Sequence, residues 1–190
     1  MIRNGVKAKI SPSGAERWLE CTAAPWLEAT QAKSDMAFSE EGTLAHAAAE
    51  LLWNSAMGMS PQEFERRETA LRKEIAEAGF DASEMFAYAT RWQNAVRAIN
   101  DEYWTDWLFL AVEHGVEMSD LDSALRGRID FFGVFDGLLG AEMIISDLKY
   151  GQGVRVPAED NPQQLLYAYG AFRPLPTDIP DLPADDSAQS

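Results

Sequence analysis

The spacing of hydrophobic positions along the chain changes after Trp107. Before it, apolar residues recur at helical intervals. "EEGTLAHAAAELLWNSAMG" is rich in Ala and Leu and predicts a helix ending near Gly58. "SPQEFERRETALRKEIAEAG" predicts another, with Ser60 as cap, Pro61 at the first helical position and Glu63 completing a capping box. In "DASEMFAYATRWQNAVRAINDEYWTDW", Phe86, Trp92, Val96, Ile99 and Tyr103 form one stripe, which predicts a long amphipathic helix with a core-facing side. Further upstream, Ser13 followed three residues later by Glu16 predicts the start of a first helix.

Beyond Trp107 the pattern turns strand-like. "LFLAVEHGVEM" predicts a loose strand, and "SALRGRIDFFGVFDG" with "AEMIISDLKYG" predicts a strand pair joined by a Gly-containing loop. "VRVP" predicts a short further strand, and "NPQQLLYAYGAF" a helix with Asn161 as cap and Pro162 at its first position. Helices, then strands, then a helix predict an α/β fold of α+β-like character, with a helical N-terminal half and a mostly antiparallel meander. Residues 1–173 are expected to form one domain, mainly helical over 10–107 and strands plus a helix over 108–173. The acidic, Pro-rich segment 174–190 is expected to be a disordered tail.

Composition narrows the function classes. With 190 residues and 46% hydrophobic side chains, the chain can bury a sizeable core. No apolar run approaches the roughly 20 residues of a membrane span. The N-terminus has no apolar signal core, and Cys21 is the single cysteine, so no membrane partner and a cytoplasmic location are expected. The net charge of −15 argues against a broadly basic nucleic-acid surface but leaves room for a local groove. Taking the four Asp of 174–190 away from −15 still leaves −11.

Against that background the ionisable residues inside apolar runs carry the chemistry. Asp130 stands between Ile129 and Phe131; Asp147 and Lys149 follow Met143, Ile144 and Ile145. Residues two apart on a strand share a face, so Asp147 and Lys149 are expected to project together, with Asp130 reaching them from the neighbouring strand. Two carboxylates and a lysine suit a hard cation such as Mg²⁺, to which the Leu148 carbonyl could add an oxygen. The lysine would orient or activate a water for attack on a phosphodiester. Simpler readings stand beside this one. Asp130 could pair with Arg126 or Arg128, and Asp147 with Lys149, as plain ion pairs. His46 could be a surface or satisfied core residue, and Gln163 and Tyr167 ordinary helix residues with Tyr167 in the core.

"GRID" followed by "SDLK", with "GTLAH" (42–46) as GxxxH and "QQLLY" (163–167) as QxxxY, resembles the PD-(D/E)xK nuclease superfamily in its RecB-type exonuclease branch. The wording of "SPSGAERWLEC", "EEGTLAHAAAE" and "DLKYGQGVRVPAEDNPQQLLYAYGA" is similar to a phage- and prophage-associated family of that kind, over residues 10–172. The resemblance implies a restriction-endonuclease-like core, a central mixed sheet flanked by helices. It implies Mg²⁺ or Mn²⁺ held by His46, Asp130, Asp147 and the Leu148 carbonyl, with Asp130, Asp147 and Lys149 catalytic. Gln163 and Tyr167 would contact substrate; Glu50, Glu113 and Arg128 are weaker candidates, and Arg126, Arg128, Lys149 and Arg155 would line a DNA groove. The expected activity is that of a metal-dependent deoxyribonuclease, an exonuclease of phage DNA recombination, replication or repair acting in the host cytosol. Cys21 alone excludes the iron–sulfur cluster of some relatives. The superfamily core continues with another strand after the QxxxY helix, which the Pro and Asp content after Phe172 opposes, so the last core strand is expected to be missing. An edge left open in that way would favour a homo-oligomer or a recombination partner protein. Two other functions fit parts of the pattern: a nuclease-fold binding module without catalysis, and an acidic protein that mimics DNA charge.

Overall fold

The computed structural model of the chain describes residues 2–3, 6–7, 10–30, 36–101, 107–137, 140–151 and 157–172. All of the expected "VRVP" strand but Pro157, together with Tyr103 and the 174–190 segment, lies outside these residues, Arg155 included.

The front of the molecule is helical, as its apolar spacing requires. A short antiparallel pair, β1 (Ile2–Arg3) and β2 (Val6–Lys7), precedes a 3-10 turn at Pro12–Gly14. Then come α1 (Ala15–Glu20), α2 (Ala24–Thr30), α3 (Met36–Ala56), α4 (Pro61–Glu77) and α5 (Ala82–Asp101). Two sequence signals work as written. Ser60 Oγ accepts from the Glu63 amide at 3.2 Å at the start of α4. Past the end of α3, Gly58 takes φ 108°, the left-handed conformation that a side chain resists. One signal misleads: Ser13 sits inside the 3-10 turn and bonds Ser11 Oγ at 3.0 Å, and α1 starts from Gly14 without a side-chain cap.

The back half is a three-stranded sheet in the order β3 (Trp107–Glu117), β4 (Arg126–Gly137), β5 (Gly140–Ser146), followed by α6 (Pro162–Phe172). All pairings in this sheet are antiparallel. The mixed sheet expected from the resemblance is therefore not present among the described residues. The expected cap of α6 is: Asn161 Oδ1 accepts from the amides of Gln163 (2.9 Å) and Gln164 (3.3 Å).

Apolar burial locks these layers around β4. Toward α3 and α5, Phe131 packs 4.5 Å from Trp53 and 6.4 Å from Trp92, ring centre to ring centre. Another cluster joins Val116, Ile129, Phe132 and Val134 to Tyr167 and Ala171 of α6. Phe131 and Phe132 are almost wholly buried, and each such side chain stabilises the fold by roughly 1.5–3 kcal/mol. The aromatic stripe of α5 is core for Phe86 and Val96, but Ile99 is 45% exposed and lies off it. At Gly127 a Cβ would meet Tyr167 Cε1 at 2.8 Å and Pro12 Cδ at 2.9 Å, so only glycine lets the turn and α6 close on β4. Among the described residues no helix is long and apolar enough to cross a membrane.

Candidate metal centre

β4 places Asp130 opposite Glu113 of β3, because the pairs on either side are Val112 with Phe131 and His114 with Ile129. Glu113 holds φ 50°, a left-handed conformation that costs a non-glycine residue about 1–3 kcal/mol. The strained residue is the one whose carboxylate meets the end of the "GTLAH" segment on α3. His46 Nδ1 lies 3.2 Å from Asp130 Oδ1 and 3.3 Å from Glu113 Oε1. One ligand atom from each of His46, Glu113 and Asp130 can be chosen so that all lie within 4.8 Å of one another.

Electrostatics marks this cluster as unusual. The hydrogen bond to Asp130, and secondarily that to Glu113, pushes the His46 imidazole up to about 10, against the lowering effect of its burial. Two carboxylates are thus neutralised by one imidazolium and, at 3.5 Å from Glu113, by the exposed Arg128. The simple ion-pair reading of Asp130 does not hold. Its partners are His46 and the Leu148 amide, which donates to Oδ2 at 2.6 Å.

That amide ties the first cluster to a second. β5 ends at Ser146, so Asp147, Leu148 and Lys149 lie just beyond the strand rather than within it. The change of state does not separate the two charges. Lys149 Nζ stands 2.5 Å from Asp147 Oδ2, and Gln163 Nε2 of α6 donates to Asp147 Oδ1 at 2.7 Å. Burial pushes the Asp147 carboxyl up, opposed by the hydrogen bond from Lys149, and the charge of Asp130 pushes it up further. Tyr167 is buried, and burial together with the charges of Asp147 and Asp130 raises its phenol to about 12. Leu148 turns its side chain into the core beside α3 and α5.

The predicted residues therefore fall into two touching groups. His46, Asp130 and the weaker candidates Glu113 and Arg128 make one; Asp147, Lys149, Gln163 and, through Gln163, Tyr167 make the other. Asp147 is not within the three-residue ligand cluster. Glu50 lines the same cavity as His46, about 480 Å³ in volume, but makes no hydrogen bond to it.

Residues 7–177 match the family model described as "Protein of unknown function (DUF2800)". The chain belongs to the DUF2800 family. The matched span contains every residue of both groups. No solved structure matches the DUF2800 chain.

Two residues of this DUF2800 site escape a reading by motif. The Tyr88 hydroxyl donates to the Lys149 carbonyl at 2.6 Å, and Trp92 Nε1 donates to Ser146 Oγ at 2.9 Å. They lie one turn apart on α5 and pin both ends of the 146–149 segment. Trp92 belongs to the core stripe of α5, and Tyr88 lies outside it, partly buried against the same core. Only the polar atom that each Tyr and Trp must satisfy when buried hints at more.

The donor set fits a hard divalent cation. Two carboxylates and one imidazole converge from three elements, and no thiolate or thioether takes part.

Proposed function

We propose that this DUF2800 chain is a metal-dependent nuclease that hydrolyses phosphodiester bonds in DNA, using Mg²⁺ or Mn²⁺. The observation that carries the reading is the convergence of His46, Glu113 and Asp130 beside Asp147 and Lys149. In this reading His46, Glu113 and Asp130 hold the ion, with Asp147 beside them. When bound, the ion supplies Lewis-acid stabilisation of charge on the phosphoryl oxygens. The chain's own residues do the rest. Binding the ion requires His46 to give up its proton, since an imidazolium cannot be a ligand. Lys149, held by Asp147, keeps an ammonium at the site where the water attacks, orienting it and offsetting charge as it develops. Gln163 fixes Asp147 from the other side, and the Leu148 amide fixes Asp130. The fold of a restriction-endonuclease-like core, an exonuclease mode, a place in phage recombination, replication or repair, and action in the host cytosol complete the proposal.

Supporting it physically is the cost of the arrangement. Partly buried carboxylates facing one another are expensive unless a cation offsets them, and a strained Glu113 adds to that cost. Such costs gather at functional sites. The test is cleavage of end-labelled single-stranded and duplex DNA by wild type and Asp130→Asn, with Mg²⁺, Mn²⁺ or EDTA. The proposal expects degradation by wild type that EDTA and Asp130→Asn both abolish. Folded wild type that cuts neither substrate with either metal would replace it with a binding module.

A further inference from the structure

A cavity of about 860 Å³ does not contain the metal cluster but opens beside it. One wall is the end of the β3–β4 ladder, with Arg126 and Arg128; the other is the turn carrying Ser11 and Ser13; Tyr167 lies between. Arg128 also lines the cavity that holds His46 and Glu113, so the two spaces meet at this residue. Arg126 lies two residues further along the strand, roughly 7 Å away. It is exposed and makes no ion pair among the described residues. The groove thus carries two arginines against one acidic residue, Glu117, in a chain whose net charge is −15.

We infer that this groove carries the phosphate backbone of a single DNA strand to the metal cluster, with Arg126 and Arg128 as successive phosphate contacts. The inference rests on the nuclease reading and names its substrate class. Guanidinium forks and hydroxyls are the groups that grip phosphate without reading bases. The spacing of the two arginines along β4 suits neighbouring phosphates of one strand. A duplex would need a second basic row for its other strand. Among the described residues lining this cavity, the opposite wall carries the neutral Ser11 and Ser13, and the strongly acidic remainder of the chain repels a second backbone.

The test is fluorescence anisotropy with a labelled oligodeoxythymidine and its duplex with oligodeoxyadenosine, in EDTA, over a salt series. Wild type should bind the single strand more tightly than the duplex. Arg126→Gln should weaken single-strand binding several-fold and lower the slope of log K against log salt by about 0.7, one phosphate contact on a single strand. Lys73→Gln removes an equal charge from α4 and should leave the slope unchanged. Duplex binding as tight as single-strand binding, an unchanged slope in Arg126→Gln, or an equal fall in Lys73→Gln would each overturn the inference. Mn²⁺ uptake and cleavage, measured on the same preparations, separate the two claims. Wild type that cuts DNA while Arg126→Gln binds it normally sinks the groove alone. Strand binding that depends on Arg126, without Mn²⁺ uptake or cleavage, keeps the groove and sinks the nuclease.

Discussion

Helix α4 and the cluster around His46 both hold Glu residues paired with cations, yet they could hardly differ more. On α4 the partners are neighbours in sequence: Glu63 with Arg66 and Glu68 with Arg72 at 2.7 Å, and Lys73 with Glu77 at 3.6 Å. These pairs form wherever a helix places residues three or four apart, and solvent screens them. Around His46 the acids come from β3 and β4 and the imidazole from α3, 67 residues away from Glu113. Assembling that group requires the whole fold, and one member is held in strained backbone. Charges that the helix pairs locally follow from spacing alone; charges that the fold collects at a cost make a candidate site.

The difference can be broken at its most sensitive point. Lys149→Ala should lower the cleavage rate by about 10²–10³-fold, the usual range for removing one charge-stabilising group, while Mn²⁺ uptake persists. Single-turnover cleavage alongside calorimetric metal titration checks this. Equal loss of both would make Lys149 structural.

A smaller effect follows from His46. Its folded value of about 10 exceeds the unfolded 6.5, so its pairing stabilises the metal-free protein fully below pH 6.5. That contribution is lost progressively as pH rises from 6.5 through 10. Urea melts in EDTA should therefore show wild type losing stability over this window. His46→Gln should lose markedly less. Parallel pH profiles for the two proteins would refute the pairing.

Smaller again is Tyr88→Phe. It removes the hydroxyl that holds the Lys149 carbonyl and should cost about 1 kcal/mol, the net value of one hydrogen bond. Melts of the two proteins measure the cost, and cleavage should slow as Lys149 loses its fixed backbone. On α4, Lys73→Gln should leave both the melt and cleavage unchanged, and a measurable loss there would erase the contrast.

Much of this organisation was legible in the residues. Helices α3, α4 and α5, the Ser60 and Asn161 caps and the β4–β5 pair follow from apolar period and cap chemistry. The pairing of Asp147 with Lys149 was also expected, and it forms although both residues lie just beyond the end of the strand. The start of α1 was not legible, because Ser11 competes for the Ser13 hydroxyl and a 3-10 turn replaces the first helical turn. Nor was the rank of Glu113. Its role depends on register with Asp130 and on a positive φ, and neither is written in the local sequence. Trp92 was hidden by its ring, which satisfies the core stripe, and Tyr88 lay outside that stripe; their polar atoms hold the 146–149 segment.

The most direct test of the account is a Mn²⁺ titration by calorimetry at pH 7.5, with wild type and Asp130→Asn in two buffers of different ionisation enthalpy. The account predicts saturable Mn²⁺ uptake by wild type with release of the His46 proton, and affinity at least about 100-fold weaker in Asp130→Asn. Mn²⁺ uptake that Asp130→Asn leaves intact, or no uptake by the folded wild type, would contradict it.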